Sequence, residues 1–146
     1  MIAAGTIAIQ RASRLPGIPP DRQFRKWLNA TLERPVELTL RVVNAAEGRN
    51  LNSAFRGKDY PTNVLTFVYH EPKAKTLMGD IVLCVPIVAR EAREQGKTLL
   101  AHYAHLTVHG ALHLAGMDHE KEQDARRMEA REIAILATLG FADPYA

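Results

Sequence analysis

Apolar side chains along this chain recur with two periods, and each period predicts a different kind of element. Alternation of apolar and polar positions over residues 36–43 predicts a strand with one buried face. Short apolar runs predict three further strands, over residues 6–10, 64–69 and 79–85. We expect the last two of these strands to pair as antiparallel neighbours.

A repeat of about 3.6 residues predicts helices in the segments between and after the strands. Five helices are predicted: one that starts at Asp21, one from Asn44 to about Phe55, and three over residues 86–95, 98–115 and 121–139. Asp21 and Asn44 belong to the residue types that cap helix N-termini, and we expect them to do so here. In the last helix we expect the Glu and Arg pairs to form an exposed face.

The order of these elements predicts the fold class. Strands come early and helices dominate late, which is typical of an α+β protein whose helices pack on a small mixed β-sheet. The 146 residues are enough to bury a core, and we expect residues 1–146 to form one domain. The pattern alone leaves the order of the strands in the sheet open.

The predicted helix over residues 98–115 carries most of the histidines. His109 and His113 stand at positions i and i+4, so their imidazoles project from one face about one turn apart. Gly116 offers a residue that can end the helix and reverse the chain, which brings His119 within reach as a third nitrogen. Three nitrogens that leave a fourth position open are typical of a catalytic zinc site. The HxxxHxxxxxH pattern therefore predicts a metal centre made by His109, His113 and His119.

Two other histidines of the same helix leave the choice of ligands open. His105 and His109 have the same i, i+4 spacing and make an equally good pair on geometry alone. The expected turn at Gly116 favours the pair of His109 and His113, because only that pair lies next to the reversal. His105 then becomes a neighbour of the ligands or a core residue, and His102 a core residue.

A metal centre of this kind can serve more than one class of hydrolase. The spacing matches that of the metzincin proteases, but those enzymes carry Glu after the first histidine, where this chain has Gly110. Glycine cannot accept a proton from the attacking water, although Asp118 or Glu120 could substitute. Cleavage of a phosphodiester instead needs a cation that stabilises the charge of the transition state. Arg56 or Lys58, in the polar segment before the third strand, can supply that cation.

Composition and charge narrow the setting of the protein. Hydrophobic residues make up 47% and charged residues 24%, as in ordinary globular proteins, and the net charge of +3 is compatible with a polyanionic partner. The single cysteine, Cys84, excludes an internal disulfide and suits a reducing compartment. The apolar stretch Met1–Gln10 is too short for a membrane span. It does not resemble a signal peptide either, because the first arginine, Arg11, follows the apolar run instead of preceding it. We therefore expect a cytoplasmic protein without a membrane partner.

Four segments carry a resemblance to a known family: His105–His119 with its histidine motif, Leu51–Phe67, Gly79–Ile81 and Leu139–Tyr145. Together they resemble the YbeY family of bacterial endoribonucleases, and they cover most of the chain after residue 36. One departure is Met117, which stands where the family often has an aromatic residue. Neither side chain is a typical zinc ligand, so this change concerns packing or the shape of the pocket.

The resemblance implies a metal-dependent, single-strand-specific endoribonuclease that works in ribosomal RNA maturation and ribosome quality control. Carried over position by position, it implies His109, His113 and His119 as metal ligands and Arg56 as the functional arginine. Three imidazoles suit one Zn2+ per chain, with nickel or copper as alternatives. The expected partners are single-stranded ribosomal RNA and the small ribosomal subunit. Two alternatives stay open: a metalloprotease-like hydrolase, which Gly110 disfavours, and an RNA-binding assembly factor whose metal is structural.

Overall fold

The chain folds into a four-stranded mixed sheet with five helices, in a computed structural model that describes residues 5–117 and 120–146. In chain order the elements are β1 (Gly5–Arg11), α1 (Asp21–Thr31), β2 (Val36–Val43), α2 (Ala45–Arg56), β3 (Val64–Val68), β4 (Leu77–Cys84), α3 (Val85–Glu94), α4 (Leu99–Leu114) and α5 (Glu122–Thr138). These elements confirm the predicted α+β class, and the predicted bounds agree to within one or two residues.

The strands lie in the order β1-β2-β4-β3. The first three of these are parallel to one another, whereas β3 runs antiparallel to β4, with Val64 opposite Leu83 and Val68 opposite Gly79. The predicted antiparallel pairing of these two strands is therefore confirmed. Because β2 pairs with β4 and not with β3, the chain crosses over through α2 and β3 before it returns to the centre of the sheet.

Helix α4 lies at the centre of the molecule, in contact with β3, β4 and the three helices α1, α3 and α5. Ten of its sixteen residues are buried, which explains its high apolar content on more than one face. Tyr103 of this helix is fully buried, and its ring packs edge-on against Phe24 of α1 at 6.0 Å between centroids. None of the described helices combines the length and the apolar character that crossing a membrane requires.

The helix ends differ from the predictions in their capping. Pro20, and not Asp21, is the N-cap residue of α1; Asp21 is the first helical residue, and its carboxylate accepts a hydrogen bond of 2.8 Å from Arg11. Asn44 does stand at the N-cap position of α2, but its side chain makes no capping hydrogen bond. At Asp21 the difference arises because a short polar side chain can bind a tertiary partner, here Arg11, instead of the helix end.

The charged face of α5 is exposed only in part. Glu122 and Arg126 form the expected i, i+4 pair on the surface, at 2.7 Å. Glu132, however, is only 1% exposed, so the prediction of an exposed face is wrong at this position. The residue lies one turn after the buried Met128 and one turn before the buried Leu136, in the middle of the apolar stripe of the helix.

Two glycines allow α4 to lie close to the sheet. A Cβ added at Gly110 would stand 3.1 Å from Cγ2 of Ile81, so a side chain there would make the helix and β4 shift apart slightly. On the sheet side, a Cβ at Gly79 would overlap the carbonyl oxygen of Phe67 and the side chain of Leu114. The close approach therefore depends on the absence of a side chain from both surfaces.

Gly79→Ala should destabilise the protein, because the added methyl group meets a backbone oxygen of the neighbouring strand, which cannot move aside cheaply. We expect the free energy of unfolding, measured in urea, to fall by about 1–3 kcal/mol, the usual cost of overpacking. Met78→Ala is the matched control, since Met78 precedes Gly79 in the same strand and is 41% exposed. Equal stabilities of Gly79→Ala and the wild-type protein would contradict the packing described here.

Candidate functional site

A cleft of ≈ 460 Å³ lies between the end of α2, strand β3 and helix α4. Its described lining consists of Phe55, Arg56, Val64, Leu65, Thr66, Phe67, His109, His113 and Glu120. Three of the residues predicted from the sequence, Arg56, His109 and His113, therefore border one cleft, although Arg56 is far from the histidines in the sequence. Glu120, one of the two carboxylates considered as a base, also borders it.

The third predicted ligand, His119, lies outside the described residues, as does Asp118. Within residues 5–117 and 120–146 there is no group of three or more His, Cys, Asp or Glu side chains that could hold a metal ion. His109 and His113 supply two imidazoles one turn apart, so the predicted set of three ligands depends on His119. The metal centre stays a prediction in this respect.

Arg56 is held at the lip of the cleft by the end of α2. The sequence suggested a loop position, but Arg56 is the last residue of the helix, and Gly57 ends it in the left-handed conformation with φ of 68°. Asn52, which is only 2% exposed, donates from Nδ2 to the carbonyl oxygen of Tyr60 at 2.8 Å. The backbone N–H of Lys58 also donates to the carbonyl oxygen of Asn52, at 3.3 Å. The segment after Arg56 is therefore tied back onto the helix that carries it.

The far end of the same segment is tied to α3 and α4. Asn63 donates from Nδ2 to a carboxylate oxygen of Glu91 at 3.0 Å, and Nε2 of His102 lies 2.9 Å from that same oxygen. His102 is 3% exposed, which confirms its prediction as a core residue. Burial lowers the pKa of His102, although the hydrogen bond with Glu91 opposes the shift. This chain of contacts fixes the start of β3, which forms one wall of the cleft.

Behind the cleft, three groups converge on the buried carboxylate of Glu132. Nε2 of His105 lies 2.7 Å from Oε1, Nδ1 of His109 lies 3.2 Å from Oε2, and the Tyr145 hydroxyl donates to Oε1 at 2.7 Å. Burial by itself would raise the pKa of the Glu132 carboxyl, but the hydrogen bonds from these three groups outweigh it and hold the pKa at about 2. The carboxylate is therefore ionised at neutral pH.

This carboxylate is the residue of the site that the sequence reasoning missed. A signal was present, because Glu132 is the one charged residue in the stripe formed by Met128, Ile135 and Leu136. A carboxylate at a core position requires a partner, and the histidines of α4 are the obvious donors. The contact of Tyr145 with Glu132 has no comparable signal in the pattern of apolar residues.

The placement of His105 bears on the alternative pair of ligands. His105 contacts Glu132 and also lies 3.1 Å from the Tyr145 hydroxyl, and it is not among the described residues that line the cleft. His109 is the histidine of α4 that has both features, since it lines the cleft and reaches Glu132 through Nδ1. This arrangement favours the pair of His109 and His113.

The donor set fits a transition metal. Neutral imidazoles are the usual nitrogen ligands of zinc, and metal-binding histidines ordinarily donate their second ring N–H to a carboxylate or carbonyl group. His109 has such a carboxylate partner in Glu132. Position 110, where a metzincin protease carries its catalytic Glu, is occupied instead by the glycine that packs against Ile81.

Asn52→Ala should loosen the segment after Arg56, because the carbonyl oxygen of Tyr60 loses its buried donor. We expect faster amide hydrogen exchange over residues 57–60 and a loss of about 1 kcal/mol in the free energy of unfolding, the net value of one hydrogen bond. Asn50→Ala, at an exposed position of the same helix, is the control. Unchanged exchange in Asn52→Ala would show that this hydrogen bond does not hold the segment.

Comparison with known proteins identifies close relatives. The sequence profile of the family described as Endoribonuclease YbeY matches residues 17–140. The chain is 58% identical over 128 residues to Endoribonuclease YbeY of Aromatoleum aromaticum, which covers 88% of this chain and 82% of the relative. It is 53% identical over 149 aligned positions to Endoribonuclease YbeY of Stenotrophomonas maltophilia, with 96% and 92% covered. The solution structure of a protein from Thermotoga maritima has a similar fold, with a TM-score of 0.52, 24% identity, and 95% and 98% covered.

Proposed function

The chain belongs to the endoribonuclease YbeY family, and from that premise we propose that it is a metal-dependent endoribonuclease that cuts single-stranded RNA. The observation that carries the proposal is the shared cleft, which the arginine at the end of α2 and the paired histidines of α4 both line. A phosphodiester needs this combination, because its transition state gains negative charge on the phosphoryl oxygens.

We propose that His109, His113 and His119 hold one Zn2+ per chain, with nickel or copper as the alternatives that imidazole ligands allow. When bound, the ion supplies a Lewis-acid charge beside the phosphoryl group. The support for this assignment is the spacing of the three histidines in the sequence, the cleft position of the first two, and the carboxylate behind His109. The identity of the metal rests on donor chemistry alone.

Arg56 has the role of binding and orienting the scissile phosphate. A guanidinium group can place two parallel N–H donors on two phosphate oxygens, which fixes the orientation of the phosphate as well as neutralising its charge. Arg56 is exposed at the lip of the cleft, and the hydrogen bond of Asn52 ties the segment after it to the same helix, so the backbone that carries this donor is fixed before RNA arrives.

The aromatic rim of the cleft supports a single-stranded substrate. The side chain of Phe55 is 67% exposed, and its ring packs edge-on against Phe67 at 5.1 Å between centroids. An exposed ring beside a phosphate-binding arginine suits a nucleotide whose base is free to stack, whereas the bases of an A-form duplex are already stacked on each other. A single strand can therefore use both the ring and the arginine.

Peptide hydrolysis and a purely structural metal are not favoured by these findings. Gly110 provides no carboxylate, and a side chain at this position would press against Ile81 and Thr66. The curated relatives are named endoribonucleases. Structural metal sites are ordinarily closed by four protein ligands, whereas here two of the proposed ligands and an arginine line an open cleft.

We further propose ribosomal RNA as the substrate, including the RNA of the small subunit, with the small ribosomal subunit as partner and the cytoplasm as the place of action. The family resemblance and the net charge of +3 support this assignment, since a basic protein gains affinity for a polyanion. Maturation of ribosomal RNA and ribosome quality control are the processes in which such an activity would serve.

Arg56→Ala tests the proposed reaction directly. Loss of the guanidinium should reduce the rate of cleavage of labelled single-stranded RNA by roughly 10²-fold or more, the scale for removing one group that stabilises transition-state charge. Arg56→Lys should recover only part of that rate, because an ammonium group lacks the paired donors. Metal content and the free energy of unfolding should not change.

Lys58→Ala is the matched control, since Lys58 is an exposed cation two residues away that is not among the described lining of the cleft. It should cleave RNA at close to the wild-type rate. If Lys58→Ala loses as much activity as Arg56→Ala, or if Arg56→Ala is fully active, the role assigned to Arg56 is wrong. Metal-replete protein that leaves single-stranded RNA intact would reject the proposed function as a whole.

His113→Ala tests the metal assignment. We expect the wild-type protein to carry about one metal ion per chain by elemental analysis, as a site with three histidines requires, and the variant to carry none. His102→Ala should keep its metal per folded chain, because His102 contacts Glu91 in the interior. The ligand set is wrong if His105→Ala removes the metal while His119→Ala retains it.

A further inference from the structure

A buried carboxylate stands behind the cleft, and we propose that Glu132 is a positioning residue that selects which nitrogen of His109 faces the metal. The inference rests on the proposed role of His109 as a ligand. Glu132 comes from α5, 23 residues after His109 in the chain, and its side chain is 1% exposed. It does not border the cleft among the described residues, so it acts on the site through the imidazole.

The direction of the hydrogen bond follows from its geometry. A carboxylate oxygen that faces a ring nitrogen accepts the ring N–H, and metal-binding histidines ordinarily donate their second N–H to a carboxylate in this way. The contact of 3.2 Å between Oε2 and Nδ1 therefore places the ring proton of His109 on Nδ1. In the neutral ring, the lone pair is then on Nε2, and Nε2 becomes the nitrogen that can bind a metal.

The other contacts of Glu132 hold the carboxylate in one orientation. His105 and Tyr145 both donate to Oε1, at 2.7 Å each, so that Oε2 is left for His109. A buried carboxylate is costly unless its lone pairs are satisfied, and two histidines of α4 and the Tyr145 hydroxyl of the C-terminal segment satisfy them. All three groups therefore contact one carboxylate, and its second oxygen, Oε2, contacts the proposed ligand His109.

The first test measures the tautomer of His109 in the wild-type protein without metal. Under alkaline conditions, where imidazoles are neutral, 15N NMR chemical shifts distinguish a protonated Nδ1 from a protonated Nε2. We expect His109 to be protonated on Nδ1. A ring protonated on Nε2 would overturn the proposal, and this result requires no variant to fold.

The second test measures zinc affinity by competition with a chelator. Glu132→Gln keeps the size of the side chain but removes its charge, and we expect the Kd for Zn2+ to rise by roughly 10–100-fold, the usual effect of losing a carboxylate behind a metal-binding histidine. The His109 tautomers should also become mixed, because an amide can donate as well as accept. Glu122→Gln is the control, since it removes an exposed carboxylate of the same helix that contacts Arg126. It should bind zinc as the wild-type protein does.

A carboxylate that merely stabilises the fold would give a different result. Glu132→Gln would then lower the free energy of unfolding but leave the tautomer of His109 and the zinc affinity of the folded protein unchanged, and this outcome overturns the proposal. Failure of the proposed function is a separate result. Protein that binds zinc through His109 but does not cut RNA would leave the role of Glu132 standing.

Discussion

Helix α4 must be buried on several sides and must also present two imidazoles to a cleft, and the rest of the structure depends on this double requirement. Its glycine allows close contact with the sheet, and Tyr103 joins the aromatic contacts of α1. The first two histidines of the helix each have a carboxylate partner: His102 contacts Glu91, and His105 contacts Glu132. These hydrogen bonds offset the cost of placing polar rings in the interior.

Different interactions hold the two walls of the cleft in position. Helix α4 is fixed by packing, whereas Arg56 is fixed by backbone and amide hydrogen bonds at a helix end. The segment that follows Arg56 would otherwise be a polar loop with many conformations, and Asn52 and Asn63 attach it at both ends. A phosphate that binds there meets a backbone segment whose conformational entropy has already been lost on folding.

The sequence predicts those features that depend on local periodicity. The alternation in β2 and the apolar repeat of α4 are strong because buried faces leave a regular pattern. The strand order is not predictable in this way, since the pairing of β2 with β4 depends on contacts between distant segments. The capping expected of Asp21 failed for the same reason: Arg11, ten residues away, takes its carboxylate. In the site, the spacing of the histidines in the sequence predicts that His109 and His113 lie side by side. The burial of Glu132 against His109 could not be predicted from spacing, because it depends on where α5 packs.

The close contact at Gly110 has an evolutionary consequence. Conversion of this site to one with a protease-like carboxylate looks like a single substitution on the helix, yet a side chain at position 110 would meet Ile81 and Thr66. The sheet would have to give way by a few tenths of an ångström at those positions, and the substitution carries that packing cost before any new activity exists. A cost in stability therefore separates the two histidine motifs, although they differ at one position.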